Sequence, residues 1–416
     1  LNSTIFIQIA SYRDPELIPT LLDLISKSSF PENLRFGIAR QYSDEDRFDN
    51  LDSFREDPRF KIINIPYRES RGACWARNLI QQLYNGEDYT LQIDSHMRFE
   101  EGWDVICIEM INQLIKDGHS KPILTSYVSS YDPKNDPGGR AKSPWRMVFD
   151  RFIPEGAVFF LPESIPSWES LDRPVPARFY SAHFCFTLGI FSKEVKHDPD
   201  YYFHGEEISI SVRAYTHGYD LFHPHRIIAY HEYTRKGRVK QWDDDKNWGE
   251  KNRKSHEKNR ILLGMEQSES IDFREYGLGK IRTLRDYEKY AGILFSQRSV
   301  QNYTLDKNYP PNPYDYESEQ DWIKSFVNRF KYCINLNRSQ VQEPDYDFWV
   351  VAFHSESGET IFRKDCNPDE IKNLLSDSDQ FCKIWRTFLT NKLPSYWVVW
   401  PHSVSKGWCK KIEGKI

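Results

Sequence analysis

The chain has 416 residues, 39% of them hydrophobic, and a formal net charge of −5. That length supports two domains and a large core, and the mild acidity excludes a general basic footprint, so no nucleic-acid partner is expected and basic groups must act locally. Seven cysteines without a C-x-x-C pair point to free thiols in a reducing, cytoplasmic setting; no run reaches the roughly 18–20 apolar residues of a membrane span, and no signal peptide is visible.

Residues 4–10 (TIFIQIA) predict a β-strand that stops at Ser11-Tyr12-Arg13-Asp14. Asp14 before Pro15 reads as a helix N-cap followed by proline at the first helical position. Leu17, Leu21, Leu22 and Ile25 give that helix its apolar face. Strands follow at 34–39, ending in Arg40, and at 60–65. Ser70-Arg71-Gly72 opens a second helix, with Ala73, Ala76, Leu79, Ile80 and Leu83 facing inward. A buried strand at 89–94 comes next. This alternation is that of an open α/β sheet, which binds ligands at the C-terminal ends of its strands. No G-x-G-x-x-G or Walker motif occurs, which argues against a dinucleotide site or a P-loop.

Further along, 101–116 predict a helix and 122–128 a strand. Residues 132–143 (DPKNDPGGRAKS) predict a mobile loop. A β-hairpin is expected within 148–162 and a buried strand pair within 179–191. Phe203-His204-Gly205-Glu206-Glu207 starts a helix that runs to about Thr216, and strands follow at 219–223 and 226–231. The charged stretch 234–254 predicts a loop, and 257–302 predict helices that close off the first domain. Proline-rich 308–314 (NYPPNPY) predicts a linker. Beyond it, 317–335 predict a helix, 347–353, 359–363, 381–389 and 396–400 predict strands, and 368–375 a helix. The expected organisation is therefore a domain at 1–307, a linker at 308–318 and a small α+β domain at 319–416.

Asp94-Ser95-His96 is the sharpest chemical signal. Residues two apart in extended chain point to one face. A carboxylate and an imidazole there can hold two corners of a divalent cation. Oxygen and nitrogen ligands suit Mn2+, Mg2+ or Zn2+, and phosphate oxygens in the shell favour Mn2+ or Mg2+. The plainer reading of an isolated D-x-H is a polar strand end, but a second imidazole, His231, also ends a predicted strand. His183 and His204 read as structural histidines, and His223-Pro224-His225 as a turn. Trp349, Trp385, Trp397, Trp400 and Trp408 enrich the tail, either as core or as a stacking platform for an acceptor or glycan.

The order strand–Asp-Ser-His, Gly-Glu-Glu at a helix start, then strand–His resembles retaining nucleotide-sugar glycosyltransferases of the GT-A fold. The layout is similar to that of the polypeptide N-acetylgalactosaminyltransferases. It looks closer still to the N-acetylglucosaminyltransferases that modify hydroxyproline on a ubiquitin-ligase adaptor, the S-phase kinase-associated protein. The stretches that carry this are Ile9–Asp14, Arg71–Arg77, Leu91–His96, Phe203–Glu207 and Gly277–Leu284.

The resemblance implies a Rossmann-like open sheet with a small C-terminal α+β domain. It implies a UDP-sugar donor, UDP-GlcNAc or UDP-GalNAc, with Asp94, His96 and His231 on Mn2+ or Mg2+. Ser11, Tyr12 and Arg13 would hold uridine and ribose, with Arg40, Arg71 and Ser95 as further donor-pocket candidates. Arg77 matches the arginine that precedes the D-x-H. Arg235 and Lys236 would close over the diphosphate. Glu206 and Glu207 would bind sugar hydroxyls and orient the acceptor, which is a protein hydroxyl or a glycan. The competing expectations are a glycosyltransferase building a bacterial capsule or surface polysaccharide, and a carbohydrate-binding protein without activity.

Overall fold

The computed structural model describes residues 3–268, 271–377 and 379–416. In its first part the strands are β1 (Ile5–Tyr12), β2 (Leu34–Tyr42), β3 (Phe60–Pro66), β4 (Tyr89–Ile93), β5 (Met97–Phe99), β6 (Pro122–Thr125), β7 (Ser129–Ser130), β8 (Trp145–Phe152), β9 (Val158–Ser164), β10 (Val175–Pro176), β11 (Phe184–Leu188), β12 (Asp220–His223) and β13 (Ala229–His231). The main sheet has eight strands in the order β10-β12-β6-β11-β4-β1-β2-β3. β1 runs parallel to both β2 and β4, and β11 is antiparallel to β4 and β6. The fold is thus α/β with a large mixed sheet, as expected.

β-branched and aromatic residues dominate the central strands, as a sheet covered on both faces requires. Helix α1 (Leu17–Lys27) lays Leu17, Leu21 and Leu24 into the core with Ile7, Ile9 and Ile93. Helix α2 (Ala73–Gln81) covers the sheet with Ala76 and Ile80 against Phe6. Its N-cap, Gly72, has φ 107°, and a Cβ there would lie 2.9 Å from the Tyr202 carbonyl oxygen. Only glycine fits such an approach. Helix α3 (Trp103–Lys116) completes that core. The register opposes Ile9 to Ile93, so Ser11-Tyr12-Arg13 end level with Ser95-His96.

Among the described residues, no helix is long and apolar enough to cross a membrane. The hairpin expected within 148–162 is β8–β9. The 179–191 stretch forms one strand, β11, followed by the short helix α4 (Phe191–Glu194), rather than a strand pair. The charged 234–254 stretch is not a loop throughout. It holds α6 (Gln241–Asp244) and the start of α7 (Trp248–Leu262), after α5 (Glu206–Thr216). Burial of Ser255, His256, Asn259 and Leu262 orders α7 despite its charge. Helix α8 (Leu284–Ala291) follows.

In the tail, α9 (Asn302–Leu305) and α10 (Glu319–Lys324) are short. The helix expected at 317–335 ends early, and β16 (Phe326–Asn337) takes over. Its alternating, aromatic-rich FVNRFKYCINLN pattern suits a half-buried strand. With β14 (Ile293–Leu294), β15 (Ser299–Gln301) and β19 (Phe381–Thr390) it forms one sheet. A second sheet holds β17 (Tyr346–His354), β18 (Thr360–Arg363), β20 (Tyr396–Ser403), β21 (Gly407–Trp408) and β22 (Ile412–Lys415). Helix α11 (Pro368–Ser376) lies beside them, and Trp349, Val351, Phe353, Ile384 and Val399 fill the space between the two sheets.

Trp322 on α10 is fully buried against Leu294 and Phe326, under the Arg285 guanidinium 5.0 Å from its ring. It joins the tail to the strands before it. Trp322→Ala should lower stability by about 3–5 kcal/mol through cavity formation; denaturant unfolding followed by near-UV circular dichroism measures this.

Candidate active site

Asp94 ends β4 and Ser95-His96 lead into β5. β13 pairs antiparallel with β5, His231 opposite Met97, which brings the second imidazole to the first. Nε2 of His231 lies 3.3 Å, and Nε2 of His96 3.6 Å, from the same Asp94 oxygen, Oδ2. Three ligating atoms from Asp94, His96 and His231 lie within 4.8 Å of one another. Their convergence on one point, one oxygen and two nitrogens, fits a divalent cation of the Mn2+ class.

The other Asp94 oxygen accepts from Arg77, 2.9 Å away. Arg77, on α2, is 6% exposed and also pairs with Glu206 at the start of α5. Burial opposes the charge on Arg77, but Glu206 and Asp94 offset it and raise the guanidinium further. Burial would likewise raise Asp94; the His231 hydrogen bond and Arg77 instead hold it well below the usual carboxylate range. Desolvation lowers His231 to about 4, so its imidazole is neutral near pH 7.

The sequence predicts Asp14 as the cap of α1, but that helix begins at Leu17 with Glu16 at its N-cap, and Asp14 turns to the site instead. Its Oδ1 accepts from the Glu16 amide, while Oδ2 takes the Ser95 hydroxyl and His96 Nδ1, each at 2.7 Å. A carboxylate behind an imidazole fixes the ring; the other nitrogen of His96, Nε2, lies 2.9 Å from the Arg238 guanidinium. His183 stacks on His231 at 4.2 Å and 17°, and Tyr127 stacks on His183 at 5.2 Å. The Val128 amide donates to His183 Nε2, so His183 is spoken for as a packing residue.

Gly205, at φ 95°, turns the chain into α5 in a backbone region that disfavours side chains, which sets Glu206 and Glu207 in the first turn. Glu207 accepts from the Tyr127 hydroxyl at 2.6 Å and the Ala182 amide at 3.0 Å. Burial lifts its carboxyl to about 7 against these donors.

The remaining predicted residues divide. Tyr12 and Arg13 both reach Asp244 of α6, at 2.6 and 3.0 Å, and Arg13 also pairs with Asp46. Ser11 is fully buried and its hydroxyl has no hydrogen-bond partner among the described residues. Exposed Arg235 packs on Phe203 and Trp242, and exposed Lys236 lies beside it in the chain. Arg238 pairs with Glu232 at 2.6 Å and reaches Asp14 at 3.5 Å. Arg40 turns to Asp49, and Arg71 precedes α2 and stays exposed over Trp75, so neither joins Asp94. His223 is structural, bonded to the Thr125 carbonyl. Sequence reasoning missed Tyr127 and the place of Asp14 behind His96; no local pattern marks either.

A family model described as "Glycosyltransferase (GlcNAc)" matches residues 4–58 and 48–297. The chain belongs to this glycosyltransferase family. It is therefore an enzyme of glycosyl transfer. Among solved structures it is similar to GalNAc-T7 with UDP, GalNAc and Mn2+, at 10% identity and TM-score 0.50 over 98% of this chain and 68% of that one. This likeness places it among GT-A folds. S. aureus TarS residues 1–349 match at 11% identity and TM-score 0.38, over 65% of this chain and 76% of that one. The same TarS segment in complex with UDP-GlcNAc matches at 12% identity and TM-score 0.38, over 65% and 69%. No curated protein matches the sequence.

The raised Glu207 carboxyl gives this glycosyltransferase a pH signature. A folded value near 7 against 4.5 unfolded favours the native state below about pH 4.5, and that advantage is lost as pH rises to about 7. The melting temperature of the wild type should thus fall, relative to Glu207→Gln, between those values and level off above. Thermal melts of both proteins across pH check this.

Proposed function

We propose that this glycosyltransferase moves N-acetylglucosamine from UDP-GlcNAc to an acceptor hydroxyl, with retention, and needs Mn2+ or Mg2+. The observation that carries the reading is the convergence of Asp94, His96 and His231 on one point, beside a buried Arg77. The family description names GlcNAc, and one structural neighbour was solved with UDP and Mn2+. Bound there, the cation would neutralise the diphosphate as it leaves.

The chain's own residues supply the rest. Asp14 and Arg77 hold His96 and Asp94 in place before substrate arrives. Ser11, Tyr12 and Arg13 end level with this centre and would receive uridine and ribose, for which Asp244 must release Tyr12. Arg235 and Lys236 would close over the diphosphate from the loop after β13. Glu207 accepts hydroxyls of the sugar, and Glu206 holds Arg77 while bordering the acceptor side. Both acids already have partners, so neither is assigned as a nucleophile; the departing phosphate takes the acceptor proton in a front-face displacement.

The organisation that goes with this reading is a catalytic domain at 1–307, a linker at 308–318 and an acceptor- or partner-binding domain at 319–416. The acceptor is a protein hydroxyl, including hydroxyproline, or a glycan. All seven cysteines are free, which supports a reducing, cytoplasmic setting.

A panel of nucleotide sugars with Mn2+, scored for nucleotide release with candidate peptides and oligosaccharides, tests the donor. UDP-GlcNAc should exceed UDP-GalNAc; the reverse order overturns the donor assignment. Asp94→Ala should abolish metal-dependent UDP release and saturable Mn2+ binding in calorimetry. His231→Ala should weaken Mn2+ binding about tenfold or more while the protein stays folded. Unchanged affinity would remove His231 from the site.

A further inference from the structure

The outer face of the sheet built on β17 and β20 is lined with aromatic rings. Strand alternation sends Trp349, Val351, Phe353 and Val399 to the core. The opposite face carries Phe348, His354, Tyr396, Trp400 and His402, with Trp408 from β21 beside them and the buried Val350, Ala352 and Val398 between the ring pairs. His354 and Tyr396 stack at 4.9 Å and 16°, and Phe348 and His402 at 5.0 Å and 12°. Trp400 and Trp408 pack at 4.3 Å and 36°, yet remain 36% and 50% exposed. From Tyr396 to His402 the row runs about 20 Å.

These rings are held in place. Trp400 Nε1 donates to the Cys409 carbonyl at 2.9 Å, and His402 Nδ1 meets Asp347 at 2.7 Å. Of the bordering charges, Lys406 pairs with Glu343 at 2.8 Å, while the Asp345 carboxylate accepts from the Ser403 hydroxyl and the Ser405 amide. The face therefore offers flat π surfaces together with the carboxylate acceptors Asp345 and Asp347, a lining that suits neutral hydroxyl donors and repels an anion. A stable protein partner would need about 800 Å² on each side. This row is about 20 Å long and about 10 Å across its strands, too narrow for that.

We propose that this face is a glycan-binding platform for a neutral, linear oligosaccharide. The C–H faces of pyranose rings carry partial positive charge and would stack on the negative faces of Trp400 and Trp408. Sugar hydroxyls would bond to the free oxygen of Asp347 and to His402 Nε2. Because the rings are pre-set, binding loses little side-chain entropy. In a glycosyltransferase such a platform holds a glycan-bearing acceptor. It leans on the transfer reading only for that purpose, since binding itself needs neither donor nor metal.

The full chain, without nucleotide or metal, is titrated with chitotetraose, cellotetraose and maltotetraose. Tryptophan fluorescence and calorimetry follow the binding. At least one tetrasaccharide should bind saturably at low-millimolar concentration or tighter. Trp400→Ala and Trp408→Ala should each weaken it about tenfold with an unchanged melting temperature, and Trp408→Phe should restore part of the loss. UDP release without acceptor should not change in these variants. Absence of saturable binding by all three sugars, or binding that survives both alanine substitutions, overturns the platform. Loss of UDP release alone in the wild type would instead count against the donor reading and leave the platform standing.

Discussion

The site depends on one buried guanidinium. Arg77 sits between Asp94 and Glu206, which come from β4 and α5, far apart in the chain. Two carboxylates brought into a region with little solvent repel each other and cost desolvation. A delocalised cation with a rigid fork meets both, and a lysine's single ammonium would not span them as well. The bridge keeps Asp94 ionised and aimed, and it ties the start of α5 to the sheet. Removing one member would leave a buried charge unmatched, a loss of about 3–5 kcal/mol.

Around that bridge, the imidazoles are ordered from behind. Asp14 holds His96 through Nδ1, and His183 with Tyr127 forms a stacked wall against His231. Tyr127 also bonds Glu207, so the ring stack and the acid share one support. The loop after β13 closes the same region through Arg238, Asp14 and Glu232 on one side and through Asp244, Tyr12 and Arg13 on the other. The end of β1 and the segment after β13 are therefore joined in one polar network.

Much of this was legible in the chain. The early strands and α1, α2 and α5 follow from apolar periodicity and from glycine and proline placement. The D-x-H spacing marked the centre because alternate strand residues share a face. Legibility failed where long-range burial overrode local composition. The first part of α7, up to residue 254, looked like a solvated loop because its charges outnumber its aliphatics, yet burial of Ser255, His256 and Asn259 further along orders the whole helix. β16 looked helical after α10, but pairing with β15 and β19 made it a strand.

The sequence by itself determined the types of the early strands and helices, the free thiols and a carboxylate–imidazole pair on one strand end, because these depend on neighbours within a few residues. Only the tertiary structure decided the partners. It set Asp14 behind His96, made Arg77 rather than Arg71 the arginine at Asp94, and turned Arg40 to Asp49. It also sorted the tail tryptophans, Trp349 into the core and Trp400 and Trp408 onto an open face. The physical reason is that hydrogen bonds and burial act across space. Which side chains meet is set by sheet register and helix packing between distant segments, and no local spacing encodes that.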